Sequence, residues 1–364
     1  MPILRVYGLL LGALLVCVII FAFTYQGNGA QVLSQEHEIA EQEALAAQPT
    51  PSPTPPPPAV STAGRLIPFL QTGAWGYKNT AGEIAIAPQF SSAREFEGEV
   101  AFAAQDGKLG LLNRNGAWVI QPTWSDALPF SDGRAGVCLD GKWGFIDASG
   151  AIVVDYNFRE VGSFSCGRAM ARTGSSYGYI DVLGTMAISE KFRAVNQFAG
   201  DIAFASSGSN TYIIDKSGEP QFTLDSGLSG TGFSETFAAV HKGAVYYFIN
   251  QYAKGAFQET YQGALSFSGG LAAVKTEGLW GYITTKGVMK IPAEFAGAES
   301  FSAGLAAVQN ADGLWGYINA AGTLKIEHLY AQAEPFSEGY ALAKRGADWF
   351  IISTGGEEVW LYSE

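Results

Sequence analysis

The hexapeptide GLWGYI is written at residues 278–283 and again at 313–318, 35 positions later. Laying the surrounding chain on that template gives a ladder with a tryptophan slot at Trp75, Leu109, Trp143, Tyr177, Thr211, Tyr246, Trp280, Trp315 and Trp349. Successive slots are 34 or 35 residues apart throughout. Four of the nine units have lost the tryptophan and kept the spacing, so the period belongs to the geometry of a unit and not to a short motif. A period of this length is the signature of stacked structural units, each too small to bury its own apolar face.

Other positions recur in register. An Asn or Asp follows the tryptophan slot at Asn79, Asn113, Asp147, Asp181, Asp215, Asn250 and Asn319, with a glycine three residues beyond most of them. Aromatic residues return at Phe90, Trp124, Phe158, Phe192, Tyr261, Phe295 and Tyr330. A phenylalanine returns at Phe96, Phe130, Phe164, Phe198, Phe233, Phe267, Phe301 and Phe336, mostly inside F-S-x-G. The pattern predicts an antiparallel meander. The W-G-Y-I run is one strand, and Asx-x-x-Gly is a turn in which the Asx side chain caps its own backbone. An aliphatic second strand follows, then an irregular third strand through the phenylalanine, then a fourth that leads to the next tryptophan. Composition agrees: 45 glycines, 13% aromatic residues and only 15% charged residues suit a turn-rich all-β fold.

These residues resemble the WG-containing repeat of bacterial proteins. The resemblance rests on WGYIN, WGFID and WGYIT followed by a glycine turn, an aliphatic strand and F-S-x-G, and it covers about residues 66–364. It implies a non-catalytic repeat that mediates interactions. Units five and six depart from it, with Thr211-Tyr212 and Tyr246-Tyr247 in place of Trp-Gly. The chain starts this region with a fourth-type strand (LIPFL, 66–70) and ends on a second-type strand (EVWLY, 358–362), which makes nine units with one strand missing. An open propeller-like spiral or superhelix is the expected arrangement, and a closed β-propeller the alternative.

The repeat domain, residues 64–364, is preceded by segments of a different character. Residues 6–25 are uncharged and apolar, and about 20 helical residues span a bilayer's hydrocarbon core. The run is longer than the apolar region of a cleavable signal peptide and no A-x-A follows it, which favours an uncleaved anchor. Arg5 before it and four glutamates after it place residues 1–5 in the cytoplasm and the repeat domain outside, as a single-pass protein of the cell membrane. Residues 26–63 read as a stalk and linker. Within them, 49–58 holds seven prolines in ten residues and should form an extended spacer of about 30 Å.

Chemistry is harder to find. The net charge is −12, which disfavours nucleic acid as a partner. His37, His241 and His328 are the only histidines and are far apart in the chain. No H-E-x-x-H, C-x-x-C, G-x-S-x-G or P-loop occurs. The recurrent Asx could line up as a calcium ladder, but the slot is Asn about as often as Asp and has no D-x-D-x-D-G around it. Eight tryptophans could stack on sugars, yet all eight fall on template positions, which points to core packing. Cys138 and Cys166 are out of register and read as free thiols, with Cys138 facing outward. No catalytic, cofactor-binding or metal-binding residues are assigned. The expected role is an extracellular or periplasmic surface for a protein partner, with a cell-wall glycan, or less so a glycan-active enzyme, as the alternatives.

Overall fold

The computed structural model describes residues 62, 64–225, 227–337 and 339–363, so the predicted anchor and nearly all of the linker lie outside the described residues. Those described form nine antiparallel sheets of three or four strands, each sheet paired only within itself and following the next in chain order. The third sheet shows the plan. A two-residue inner strand, Asp126–Ala127, pairs with Arg134–Leu139, which pairs with the tryptophan strand Lys142–Asp147, which pairs with the outer strand Ile152–Phe158.

Three turns join these strands. Asp132-Gly133 and Asp140-Gly141 both take positive φ at both residues, the two-residue hairpin that matches the strand twist. The third is the predicted Asx turn. At all seven Asn or Asp positions Oδ1 accepts the amides two and four residues on, as Asp147 does from Ser149 and Ala151.

The glycine of Trp-Gly has a specific cause. Trp143 lies opposite Phe158 and Phe145 opposite Val154, so two steps along one strand face four along the other. The outer strand bulges over Gly144, where a Cβ would stand 2.5 Å from the Val154 carbonyl oxygen. The same register excess occurs in the six sheets with a glycine after the tryptophan slot. At Gly76, Gly110, Gly178, Gly281 and Gly316 a Cβ would likewise fall 2.3–2.7 Å from a carbonyl of the outer strand. In the fifth sheet Tyr212 replaces the glycine and pairs in simple register there, and in the ninth Phe350 replaces it and the excess shrinks to one residue, two steps facing three. The dipeptide is therefore the mark of a bulge.

Successive sheets enclose nine apolar clusters between them. Eight join neighbours in sequence, and the ninth packs Ile67 and Phe69 of the first sheet on Ile351 and Leu361 of the last. An open array of nine sheets has eight such interfaces; nine make a ring. The structure is a nine-bladed β-propeller, which corrects the preference for an open spiral. Specific contacts seal the join. The Lys78 ammonium lies over the rings of Phe69 and Trp360, at 4.6 and 4.5 Å, and donates to the Leu361 carbonyl at 3.0 Å. Trp75 meets Tyr362 edge-on at 5.7 Å. Arg65 donates to the carbonyls of Ser337 and Tyr340 and forks onto Glu95 at 2.8 and 2.9 Å. Closure came from these end-specific side chains, and the monotony of the repeat hid it.

Two further expectations need correction. Cys138 is buried at 7% exposure, because its strand, Arg134–Leu139, is covered on both faces from Ala135 to Cys138; it and the exposed Cys166 are both free thiols. The tryptophans are not uniformly core. Trp124 is 2% exposed, but Trp360 is 50% exposed, and the tryptophan-slot rings are half-buried. The deep core slot lies two residues later. Tyr77, Tyr179, Tyr282 and Tyr317 are fully buried and pack edge-on against the phenylalanine slot of the next blade at 4.8–4.9 Å.

Candidate functional site: hub and turn face

Ring geometry follows from which atoms approach between blades. The Oγ of Ser131, Ser165, Ser234, Ser268 and Ser302, each directly after the phenylalanine slot, donates to the carbonyl of the phenylalanine in the next blade at 2.5–2.7 Å. Sheets fanned around an axis come closest beside it, so these hairpins form the hub. Buried tyrosines brace it from behind. The hydroxyls of Tyr77, Tyr179, Tyr282 and Tyr317 donate at 2.7–2.8 Å to the carbonyls of Arg94, Asn196, Glu299 and Glu334, two residues before the phenylalanine slot. Burial holds each of these phenols above its ordinary pKa, so they stay protonated donors.

The hub departs from the rule near the ring join. Glu97 stands in the serine slot and its carboxylate accepts the Phe130 amide at 2.5 Å. Partial burial raises its pKa above the usual carboxylate range, the Phe130 amide and Arg94 lower it, and Glu95 raises it. Glu334 is raised as well, by burial and by Glu95, against Arg65. Asp132 and Glu235 accept the amides of Gly167 and Gly270 in the following blade. In the same slot Cys166 offers Sγ to the Gly200 amide at 3.2 Å.

Arg134 is paired with Asp147, so the hub hairpins and the Asx turns share one end of every complete blade. That face carries most of the exposed apolar side chains. Ile84, Ile152, Leu183, Phe222, Tyr252, Val288 and Met289 lie in the Asx-type turns or in the outer strands that follow, whereas Trp360 pairs with Phe350 in mid-strand and donates to Asp348 at the far end of its blade. Val245, Leu279, Leu314 and Leu329 lie at the opposite end. Leu183 is 77% exposed at the tip of its turn, and Phe222 meets Tyr252 of the next blade edge-on at 6.1 Å. Neither periodicity nor a motif marks this set.

The residues weighed for chemistry do not converge. His241 stacks on Tyr246 at 4.9 Å and its Nδ1 is 3.2 Å from the Gly243 carbonyl, whereas His328 Nδ1 is 3.2 Å from the Leu314 carbonyl. The Asx oxygens are spent on their own turns. The Ser149 and Ser217 hydroxyls hold Asp147 and Asp215 below the ordinary carboxylate range. Among the described residues no group of three or more His, Cys, Asp or Glu is placed to hold a metal ion.

Comparison with known proteins fits this picture. The WG containing repeat family model matches residues 75–108, 110–143, 143–175, 260–280, 280–314 and 315–349. The gap between the third and fourth matches spans the fifth and sixth blades, where Trp-Gly is lost. No curated protein matches the chain. Among solved structures, a eukaryotic initiation factor is similar over 82% of this chain and 96% of its own, with 10% identity and a TM-score of 0.54. The computationally designed Ika8 protein is similar over 75% and 96%, with 12% identity and a TM-score of 0.45. BamB from Moraxella catarrhalis is similar over 75% and 97%, with 12% identity and a TM-score of 0.39.

Proposed function

The chain belongs to the WG-containing repeat family, and on that premise we propose that its propeller is a non-catalytic platform whose Asx-turn face binds a partner protein. The observation that carries the reading is the one-sided distribution of exposed apolar side chains among the described residues, seven on the turn face against four on the other. Scattered exposed apolar residues are ordinary on any protein, but a bias to one face of a rigid ring is what a binding face shows. The hub of serine and tyrosine hydrogen bonds supports it by fixing the turns relative to one another, which lowers the ordering cost of binding.

In the same proposal residues 6–25 anchor the chain in the membrane, residues 26–63 space the propeller from it, and the platform works in the cell envelope. The described residues contain no helix long and apolar enough to cross a membrane, so the anchor rests on residues 6–25 alone. Photo-crosslinking residues placed at Ile152, Leu183 and Val288 should capture one protein saturably in intact cells, and those at Leu279 and Leu314 should not. Equal capture on both faces would sink the face assignment. Saturable sedimentation with cell-wall sacculi would instead make the ligand a glycan.

A further inference from the structure

Charge is not spread evenly over the turn face. The seven residues that run from the Asx slot into the outer strand are 250–256, 284–290 and 319–325 in blades six to eight. They carry Lys254, Lys286, Lys290 and Lys325 and no Asp or Glu. The same stretch of the other six blades carries seven acids and only two bases, Arg114 and Lys216. Lys216 is paired with Asp201 at 3.1 Å. The four lysines of blades six to eight are all exposed, and none of them forms an ion pair among the described residues. In a chain of net charge −12 this is a local reversal of sign.

The lysines share their surface with apolar side chains. Tyr252, Val288 and Met289 are exposed among them, and Phe222 of the fifth blade extends the set by its edge-on contact with Tyr252. Packing holds the turns side by side. A Cβ on Gly287 would stand 2.6 Å from the Phe257 ring of the sixth blade, and one on Gly322 would stand 3.3 Å from Ile291 of the seventh, next to Lys290. Two acids lie at the hub end of these blades. Glu235 is engaged with the Gly270 amide, and Glu299 is half-buried. We propose that this sector of the turn face, blades six to eight, docks an acidic segment of the partner protein, one with apolar side chains spaced among its carboxylates.

The inference rests on the turn-face reading and adds the chemistry of the partner. Charge complementarity selects the occupant, since exposed ammonium groups attract carboxylates over about a Debye length, roughly 8 Å at physiological salt. The Tyr252 and Met289 side chains supply adaptable apolar contact beside them. An anionic bilayer carries the same charge but fits the surface less well. A plane laid on the turn face would meet every blade, Asp147, Asp181, Glu219 and Glu357 included, whereas a narrow segment stays within one sector.

Fluorescence anisotropy on the full chain tests this, with a labelled peptide of alternating glutamate and leucine as the probe and its lysine and leucine counterpart as the control. The glutamate peptide should bind saturably, and more weakly as salt is raised. Lys286→Glu, Lys290→Glu and Lys325→Glu combined should weaken it at least about tenfold. Lys108→Glu with Lys142→Glu, in the hairpins at the opposite end of the ring, should leave it unchanged. Absence of saturable binding, equal binding of the lysine peptide, or no loss on charge reversal in blades seven and eight overturns the proposal. Displacement of the peptide by phosphatidylglycerol vesicles and not by phosphatidylcholine vesicles would make a lipid surface the occupant, which also overturns it. The photo-crosslinks at Ile152 and Leu183 lie outside the sector, so capture there without peptide binding would leave the platform standing and remove only this occupant.

Discussion

Gly144→Ala isolates the physical meaning of the Trp-Gly signature. Gly144 is not among the positive-φ glycines, so alanine suits its backbone and only the added methyl matters. That methyl would meet the Val154 carbonyl oxygen at 2.5 Å, the Asp155 carbonyl carbon at 3.0 Å and the Tyr156 amide nitrogen at 3.1 Å. All three are backbone atoms, so no rotamer change relieves the contact and the outer strand itself must shift. Overpacking of this kind costs about 1–3 kcal/mol, and a weakened ladder hydrogen bond beside it about 1 more, giving roughly 2–4 kcal/mol. Gly141→Ala is the control. Gly141 has φ 75, and a methyl added there would meet nothing within 4 Å, so only left-handed strain of about 1–2 kcal/mol applies. Urea unfolding of both variants should show the larger midpoint loss for Gly144→Ala at unchanged slope. A loss equal to or smaller than that of Gly141→Ala would refute the claim that glycine is there to let the outer strand cross.

Phe164→Ala should cost about 3–5 kcal/mol by urea unfolding, because the ring is fully buried between the third and fourth blades against Phe145 at 4.8 Å; an unchanged midpoint would remove the phenylalanine slot from the core. Ser149→Ala should raise the Asp147 pKa toward the ordinary carboxylate value in a carbon-detected NMR titration, since the Ser149 hydroxyl is the largest cause of its depression. For Glu97 the sign runs the other way. Its folded pKa is raised, chiefly by burial, so its ionisation opposes folding and that cost fades as pH falls through the folded value. Glu97→Gln should therefore lessen the gain in unfolding midpoint between neutral pH and mildly acidic pH, and an identical pH profile in both proteins would contradict it.

The repeat was legible because it is written in residues that backbone geometry demands. Asx oxygens cap turns, glycines admit bulges and hairpins, and the phenylalanine slot fills the gap between sheets, so these positions keep the period even where Trp143 becomes Tyr177 or Thr211. Closure was illegible for the opposite reason. It depends on Arg65, Lys78, Trp360 and Tyr362, which occur once each in this role and share no period. Counting one strand too few suggested an open array, whereas a ring closes by packing sheet on sheet and tolerates a short first blade. Cys138 was misplaced because alternation along a strand assumes one solvent face, and this propeller strand is covered on both. The turn face escaped notice since its apolar residues sit at different places in each turn, Leu183 before the glycine, Val288 after it and Tyr252 in a turn with Ala253 in the glycine slot.

Closure of the ring is the claim on which the hub and the turn face both depend. Spin labels at Ala74 in the first blade and Asp348 in the ninth occupy the slot that Lys108 and Lys142 occupy in the adjacent second and third blades. With the native cysteines replaced by serine, double electron–electron resonance should give the same distance for the 74/348 pair as for the 108/142 pair. A clearly longer 74/348 distance would mean that the first and last blades do not meet and that the array is open.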